Sequence, residues 1–462
     1  MHFKCTEGTL RFFGSFNLVV MLIFVLITFS ILTYYVIQKI TKPPKELQNI
    51  PTVPFLKYFW AMISGKGQDE IQHILLEADS RKLGIVKIWN FINWVVYVSN
   101  VEYAKQIFLE SADVLPKWSY KEGQPIKIYF GTGIALSNGE HWAKHRKIAT
   151  TAFNKALYPE ATGMCTLEFT KILDQCTDTP TDIFKLIQLL TLQILGKLVF
   201  NHDLQCLNSL EEKPVFLDTY RKIVKHVINP LFVLLPWLVS LPLKANVEHE
   251  MRVKEFDQFL YDIIEKRRID LAEQKRAAMK IENRDLLAGM IEDAENEGYD
   301  IPDKEFRDDI IVFFLAAHDS SSSALCYSFY FLAKYPEIQR KARNEAIRVL
   351  GKDVVIPDSK QLKELKYITA IIKETLRLYP TLTVISPRIA AKELKYGPYT
   401  LPKGQSLAIN LWQLQRNLDL WKNTILKGFW KKKRVIKVFL GFLILLDLEV
   451  VWVKTFLSCN SA

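Results

Sequence analysis

Hydrophobic and polar positions change rhythm several times along this chain. Between Arg11 and Lys39 no residue is charged, and NLVVMLIFVLITFSILTYYVI is long enough to span a bilayer. From Gly84 to Ser99, GIVKIWNFINWVVYVS contains two runs rich in β-branched and aromatic residues. They join near Asn90 to Asn93 and predict a hairpin. Asn100 then stands where a helix cap belongs. A Gly- and aromatic-rich loop, Pro116 to Gly133, leads into GEHWAKHRKIATTAF, and most of the chain from there to about Gly351 is helical in pattern. After KETLRLYP come short β-like pieces, with a turn at Pro402, Lys403 and Gly404. The pattern is therefore mainly α with a small β region. One stretch, HVINPLFVLLPWLVSLPLK, is strongly apolar, but Pro230, Pro236 and Pro242 forbid a continuous spanning helix. It reads equally as a segment dipping into a membrane interface, a roof over an apolar pocket, or a kinked core segment.

The longest helical pattern runs from about Phe306 to Leu332 and is apolar on almost every face, which predicts burial nearly all round. Its middle inverts to His318, Asp319 and Ser320 to Ser323. Such groups inside a buried helix are costly unless hydrogen-bonded or serving a ligand. Serines there can bond back to carbonyls one turn earlier, and Ala316 and Ala317 leave space beside them. Taken alone, this break is either a satisfied core network or a groove in which an acid and an alcohol pass protons to a bound molecule.

Composition changes this picture in two respects. The net charge of +11 has much of its excess near the end (Lys427, Lys431, Lys432, Lys433, Arg434, Lys437), which suits a membrane surface or an acidic protein. No nucleic-acid partner is expected. The six cysteines show no CxxC and no regular spacing, so neither a disulfide framework nor a zinc site is predicted, and a reducing compartment is expected. Lys39, Lys42 and Lys45 outnumber Lys4 and Arg11 across the apolar run, which places the body of the protein on the cytosolic side. Pro43, Pro44, Pro51 and Pro54 then predict a stiff spacer.

Four short signals follow in a fixed order. Trp142 and Arg146, four apart on one helix, present an indole N–H and a guanidinium suited to one carboxylate. Asp319 and Ser320 form the buried acid–alcohol pair. Glu374 and Arg377 in K-E-T-L-R are spaced to pair on a helix, and Arg388 in S-P-R-I can point a second guanidinium at an anion. Each alone has an ordinary structural explanation.

In this order, from Trp142 to Asn417, they resemble the cytochrome P450 family of heme-thiolate monooxygenases in a microsomal, membrane-anchored form. A-A-H-D-S-S (316–321) is similar to the oxygen-groove motif A-G-x-D/E-T-T/S, with Ala317 for the glycine and Ser320 for the threonine. E-T-L-R (374–377) matches E-x-x-R, W-A-K-H-R (142–146) matches W-x-x-x-R, and Q-R-N (415–417) is a variant of H-R-N/D. The resemblance implies a P450-like fold with heme as cofactor. It further implies propionate contacts from Trp142, Arg146 and Arg388, oxygen space at Ala316 and Ala317, and proton supply from Asp319 and Ser320. It also implies a lipophilic small-molecule substrate, electrons from an NADPH-dependent reductase, and an endoplasmic-reticulum membrane. Serine for threonine at position 320 predicts more peroxide per turnover, tested by Ser320→Thr.

The expected organisation is a lumenal segment (1–14), a transmembrane anchor (15–38), a proline-rich hinge (39–55), the P450-like domain (56–421) and a divergent tail (422–462). Beyond about Trp421 the family pattern F-x-x-G-x-R-x-C-x-G and the final helix are not found. Cys459, in F-L-S-C-N-S-A, lacks the glycines that admit a close backbone approach, so no metal ligand is assigned. The expectation is thus a monooxygenase by family, with a catalytically inactive membrane-bound remnant as the alternative.

Overall fold

The structure, a computed structural model, describes residues 7–417 apart from 77–82, 91–92, 121–122, 156–158, 177–179, 209–214, 228, 230, 233–234, 278–284, 354 and 386. Cys459 and the tail from 422 lie outside the described residues.

The first helix, α1 (Glu7–Thr41), exposes an apolar column, with Phe24, Leu26, Phe29, Ile31 and Leu32 all at least 60% accessible. At its base the Trp94 indole donates to the Lys39 carbonyl at 3.1 Å. The proline-bearing segment that follows is packed on the body of the protein. Leu47, Ile50 and Val53 are buried, and the Lys87 ammonium donates to the carbonyls of Leu47 (2.7 Å) and Ile50 (2.5 Å). The segment is held because those apolar side chains have a sheet to cover.

That sheet is four-stranded, in the order β1–β2–β6–β3. β1 (Ile85–Trp89) and β2 (Trp94–Val98) form the predicted hairpin, in register from Ile85 opposite Val98 to Trp89 opposite Trp94. β6 (Ser406–Ile409) runs parallel to β2, and β3 (Arg388–Ile389) pairs antiparallel with β6. β4 (Leu394–Tyr396) and β5 (Tyr399–Leu401) make a separate pair. The turn at Pro402 to Gly404 is present, with Gly404 at φ +85°.

The helical body follows: α2 (Phe55–Ile63), α3 (Gln68–Leu76), α4 (Val101–Leu109), α5 (Pro125–Phe130), α6 (Gly139–Lys155), α7 (Pro159–Asp174), α8 (Ile183–Phe200), α9 (Val215–Val227), α10 (Lys244–Arg276), α11 (Leu286–Asn296), α12 (Asp303–Lys334), α13 (Pro336–Leu350), α14 (Ser359–Glu364), α15 (Lys366–Leu378) and α16 (Leu411–Arg416). Asn100 caps α4 as predicted, its side chain accepting from the N–H groups of Glu102 and Tyr103. Helix α5 falls inside the predicted Pro116–Gly133 loop. Pro125 sits in its first turn, where no N–H is needed, and Tyr129 and Phe130 anchor it in the core.

The long helix α12 organises two cores. Phe306, Ile310, Ile311, Phe313 and Phe314 pack with α6, α8, α10 and α11. Ala324, Leu325 and Leu332 pack with α7, α8, α13 and α15. Between them Leu315, Ala316, Ala317, Asp319 and Ser320 are only half-buried, and Tyr327 and Tyr330 are exposed. Burial is therefore nearly complete from Phe306 to Phe314 and one-sided beyond it. Both α8 and α12 are long and apolar enough to cross a membrane, yet their burial makes them core helices.

Candidate active site

Three cations converge from parts of the chain far apart in sequence. Residues 116–118 lie alongside β3: Lys117 bridges to Arg388, the Ile389 N–H donates to the Pro116 carbonyl (2.9 Å), and the Trp118 N–H to the Pro387 carbonyl (3.2 Å). Asn138, just before α6, accepts from the Lys117 N–H (2.8 Å) and donates to its carbonyl (3.2 Å). These contacts set the Lys117 ammonium 5.2 Å from the centre of the Trp142 ring, where it donates to the Ile134 carbonyl at 2.5 Å. Arg146, one turn along α6, supplies the third charge.

The electrostatics show an excess of positive charge. Burial, then the charges of Arg388 and Arg146, lower the Lys117 pKa to about 7 despite the opposing pull of Asp309. Burial also holds Arg146 and Arg388 below the usual arginine range. Among the described residues no carboxylate pairs with Arg146 or Arg388. Drawing cations even partly out of water without a carboxylate partner is unfavourable, so the half-buried cluster is suited to an anionic group from outside the chain. The carboxylates of heme fit this requirement, and Trp142, Arg146 and Arg388 are three residues the sequence singled out for them. Lys117 was not anticipated. Its only sequence signal is its place in P-K-W at the head of the loop, and its partner lies far away in the chain.

The loop carrying these residues is fixed to the start of α12 by two acids. The Asp308 carboxylate accepts from the Thr132 N–H at 2.7 Å, and Asp309 from the Ile134 N–H at 2.6 Å. Gly131 is required between them: its φ is +61°, and a Cβ there would stand 1.9 Å from an Asp308 oxygen.

On α12 the Ser320 hydroxyl donates to the Ala316 carbonyl at 2.5 Å, the back-bond expected for a serine inside a helix. The Asp319 carboxylate, about half exposed, accepts from the Tyr220 hydroxyl at 3.4 Å and meets His318 Nδ1 at 3.0 Å. Ala316, Ala317, Asp319 and Ser320 thus lie on the half-buried part of the helix. Phe313 and Phe314 are packed in the core against Phe153 and Tyr220, with ring centres 5.2 and 5.1 Å apart.

Glu374 and Arg377 form a two-point pair at 2.8 and 2.7 Å on α15, and Arg377 also donates to the Gln415 carbonyl at 2.7 Å. The Q-R-N segment therefore satisfies an arginine N–H that the sequence alone left open. Among the described cysteines, burial pushes the thiols of Cys165, Cys206 and Cys326 up to about 12, so all three stay protonated at neutral pH.

A mostly helical body with a small mixed sheet, a long central helix bearing A-A-H-D-S-S, and a half-buried anion-seeking cluster fit the heme-binding monooxygenase class. The chain belongs to the cytochrome P450 family, whose model matches residues 51–424. It is similar to cytochrome P450-DIT2 of Saccharomyces cerevisiae, 28% identical over 408 residues (86% of this chain, 79% of that protein). It is also similar to 11-oxo-beta-amyrin 30-oxidase of Medicago truncatula, at 27% over 356 residues (72% and 63%). Leukotriene-B4 omega-hydroxylase 3 of Mus musculus matches at 26% over 316 residues (64% and 59%). The family is one of monooxygenases with heme as cofactor.

Proposed function

We propose that the chain is a membrane-anchored P450 monooxygenase acting on a lipophilic organic compound. The observation that carries this reading is the uncompensated cluster of Lys117, Arg146 and Arg388 beside Trp142. In this proposal Trp142, Arg146 and Arg388 hold the heme carboxylates, and Lys117 adds a fourth contact. Bound heme supplies the iron at which dioxygen is activated and one oxygen atom is passed to the substrate. Ala316 and Ala317 leave room beside α12. Ser320 releases its bond to the Ala316 carbonyl and, with Asp319, donates protons within hydrogen-bond reach. The relatives' names, a β-amyrin oxidase and a leukotriene hydroxylase, favour a lipophilic substrate.

The membrane assignment rests on the exposed column of α1 and on Lys39, Lys42 and Lys45, which gather at its base. Basic side chains beside an apolar span belong on its cytosolic side. There an NADPH-dependent reductase of the endoplasmic reticulum supplies electrons.

One observation favours a second reading, a membrane-bound remnant without catalysis. The thiols of Cys165, Cys206 and Cys326 are held protonated by burial, and Cys459 lacks flanking glycines. A carbon-monoxide difference spectrum of the reduced, heme-reconstituted chain separates the two. A red-shifted Soret band of thiolate type supports catalysis. Its absence, with heme retained, supports the remnant. Sequencing the transcript across the codon for Trp421 shows whether another reading frame supplies F-x-x-G-x-x-x-C-x-G.

A further inference from the structure

Helix α6 has a second chemical face. His141 and His145 precede Trp142 and Arg146 by one position each, so they project about 100° around the helix from that pair. Being four apart, they stack one above the other, with ring centres 4.5 Å apart. Both reach the first turn of α12. His141 Nε2 lies 3.3 Å, and His145 Nε2 2.9 Å, from the same oxygen of Glu305.

The geometry points to a divalent transition-metal site of the zinc class formed by His141, His145 and Glu305. One ligand atom from each lies within 4.8 Å of the others. A tetrahedral ion with bonds of 2.0–2.1 Å sets its ligands about 3.3 Å apart, close to the 2.9 and 3.3 Å separations already present. A small rotation of the Glu305 side chain then admits the ion. The site is also oriented from behind. His145, 1% exposed, gives its Nδ1 to Asp309 Oδ2 at 2.5 Å, and Asp309 is itself held by the Ile134 N–H. An ion displaces the proton that Nε2 gives Glu305; with Nδ1 keeping its own, Nε2 then turns its lone pair to the metal, the carboxylate–histidine–metal arrangement that fixes tautomer and ring angle. On the outer side His141 and Glu305 are 38% and 26% exposed. The ion therefore has an entry path, and solvent fills a fourth position.

Such an ion ties α6 to the start of α12 by bonds from both helices. Such a site requires neither bound heme nor catalysis.

The test uses untagged full-length protein in detergent, stripped by a chelator and titrated with zinc(II) against a colorimetric competitor. Cobalt(II) serves as the spectroscopic probe. One equivalent of zinc is expected to bind, with tetrahedral ligand-field bands for cobalt and a raised melting temperature. His141→Gln changes a partly exposed residue and spares the His145–Asp309 pair. It should weaken zinc by about tenfold or more and abolish the melting shift, while circular dichroism stays native. Glu305→Gln should do the same. Equal affinity in the two variants and the parent, or no stoichiometric uptake by folded parent protein, overturns the site.

Discussion

Lys117 brings a charge to a place where Arg146 and Arg388 already stand, and its lowered pKa makes that cost measurable. Between about 7 and the ordinary 10.5 the unfolded chain holds a proton on this group that the folded protein has released. Stability contributed by Lys117 therefore rises with pH across that window, and its penalty is full below about 7. Lys117→Met should stabilise the heme-free protein most in acid, with the gain fading as pH approaches 10.5. Urea titrations across pH measure this, and a pH-independent gain would exclude the charge cluster as its source. Gly131→Ala meets both a positive φ and the Asp308 carboxylate. It should lose about 2 kcal/mol or more in the same titration, whereas Gly123→Ala, with open space around its Cβ, should lose less. At this scale Trp142, Arg146 and Arg388 were legible because each sits in a short spaced motif. Lys117, Gly131 and Asp309 were not, because what defines them is a partner from a distant segment.

Helices and strands were more open to reading than their surroundings. The hairpin of β1 and β2 declares itself through two runs rich in β-branched and aromatic residues joined near Asn90 to Asn93, and Asn100 and the Glu374–Arg377 spacing through local geometry. Helix α5 was hidden because six residues give too few turns for a period, and its stability comes from burying Tyr129 and Phe130. The proline-rich segment showed the reverse limit: its composition reads as a stiff spacer, and nothing local announces that Leu47, Ile50 and Val53 are buried in the cores beside the sheet. On α15, Arg377 joins its own helix to α16 through the Gln415 carbonyl. Arg377→Ala leaves the largely buried Glu374 without its arginine and should cost about 3 kcal/mol by chemical denaturation. Arg377→Lys, which cannot reproduce the two-point geometry, should recover only part of that loss.

At the scale of the molecule, two stretches outside α1 carry several exposed apolar side chains each. Leu56 and Trp60 on α2 are exposed, as are Leu231, Leu235, Trp237, Leu241 and Leu243 in the proline-interrupted stretch. That stretch, read from sequence as interfacial segment, pocket roof or kinked core, therefore presents much of its apolar surface outward. With vesicles carrying brominated acyl chains, the intrinsic fluorescence of the full chain should be strongly quenched. The double variant Trp60→Phe, Trp237→Phe should lose a large share of that quenching, and an unchanged quenched fraction would place both indoles away from lipid. The sheet has a further consequence, in time. β2 pairs with β1 within a few residues but waits for β6 to cover its other edge. At 5–20 residues per second, the roughly 300 residues between them take about 15–60 s to synthesise. Throughout that interval a nascent chain carries an open, apolar strand edge, the feature that invites pairing with other chains. The hairpin thus works as a length gauge: any product halted before Ser406 leaves the ribosome with that edge uncovered and exposed to quality control.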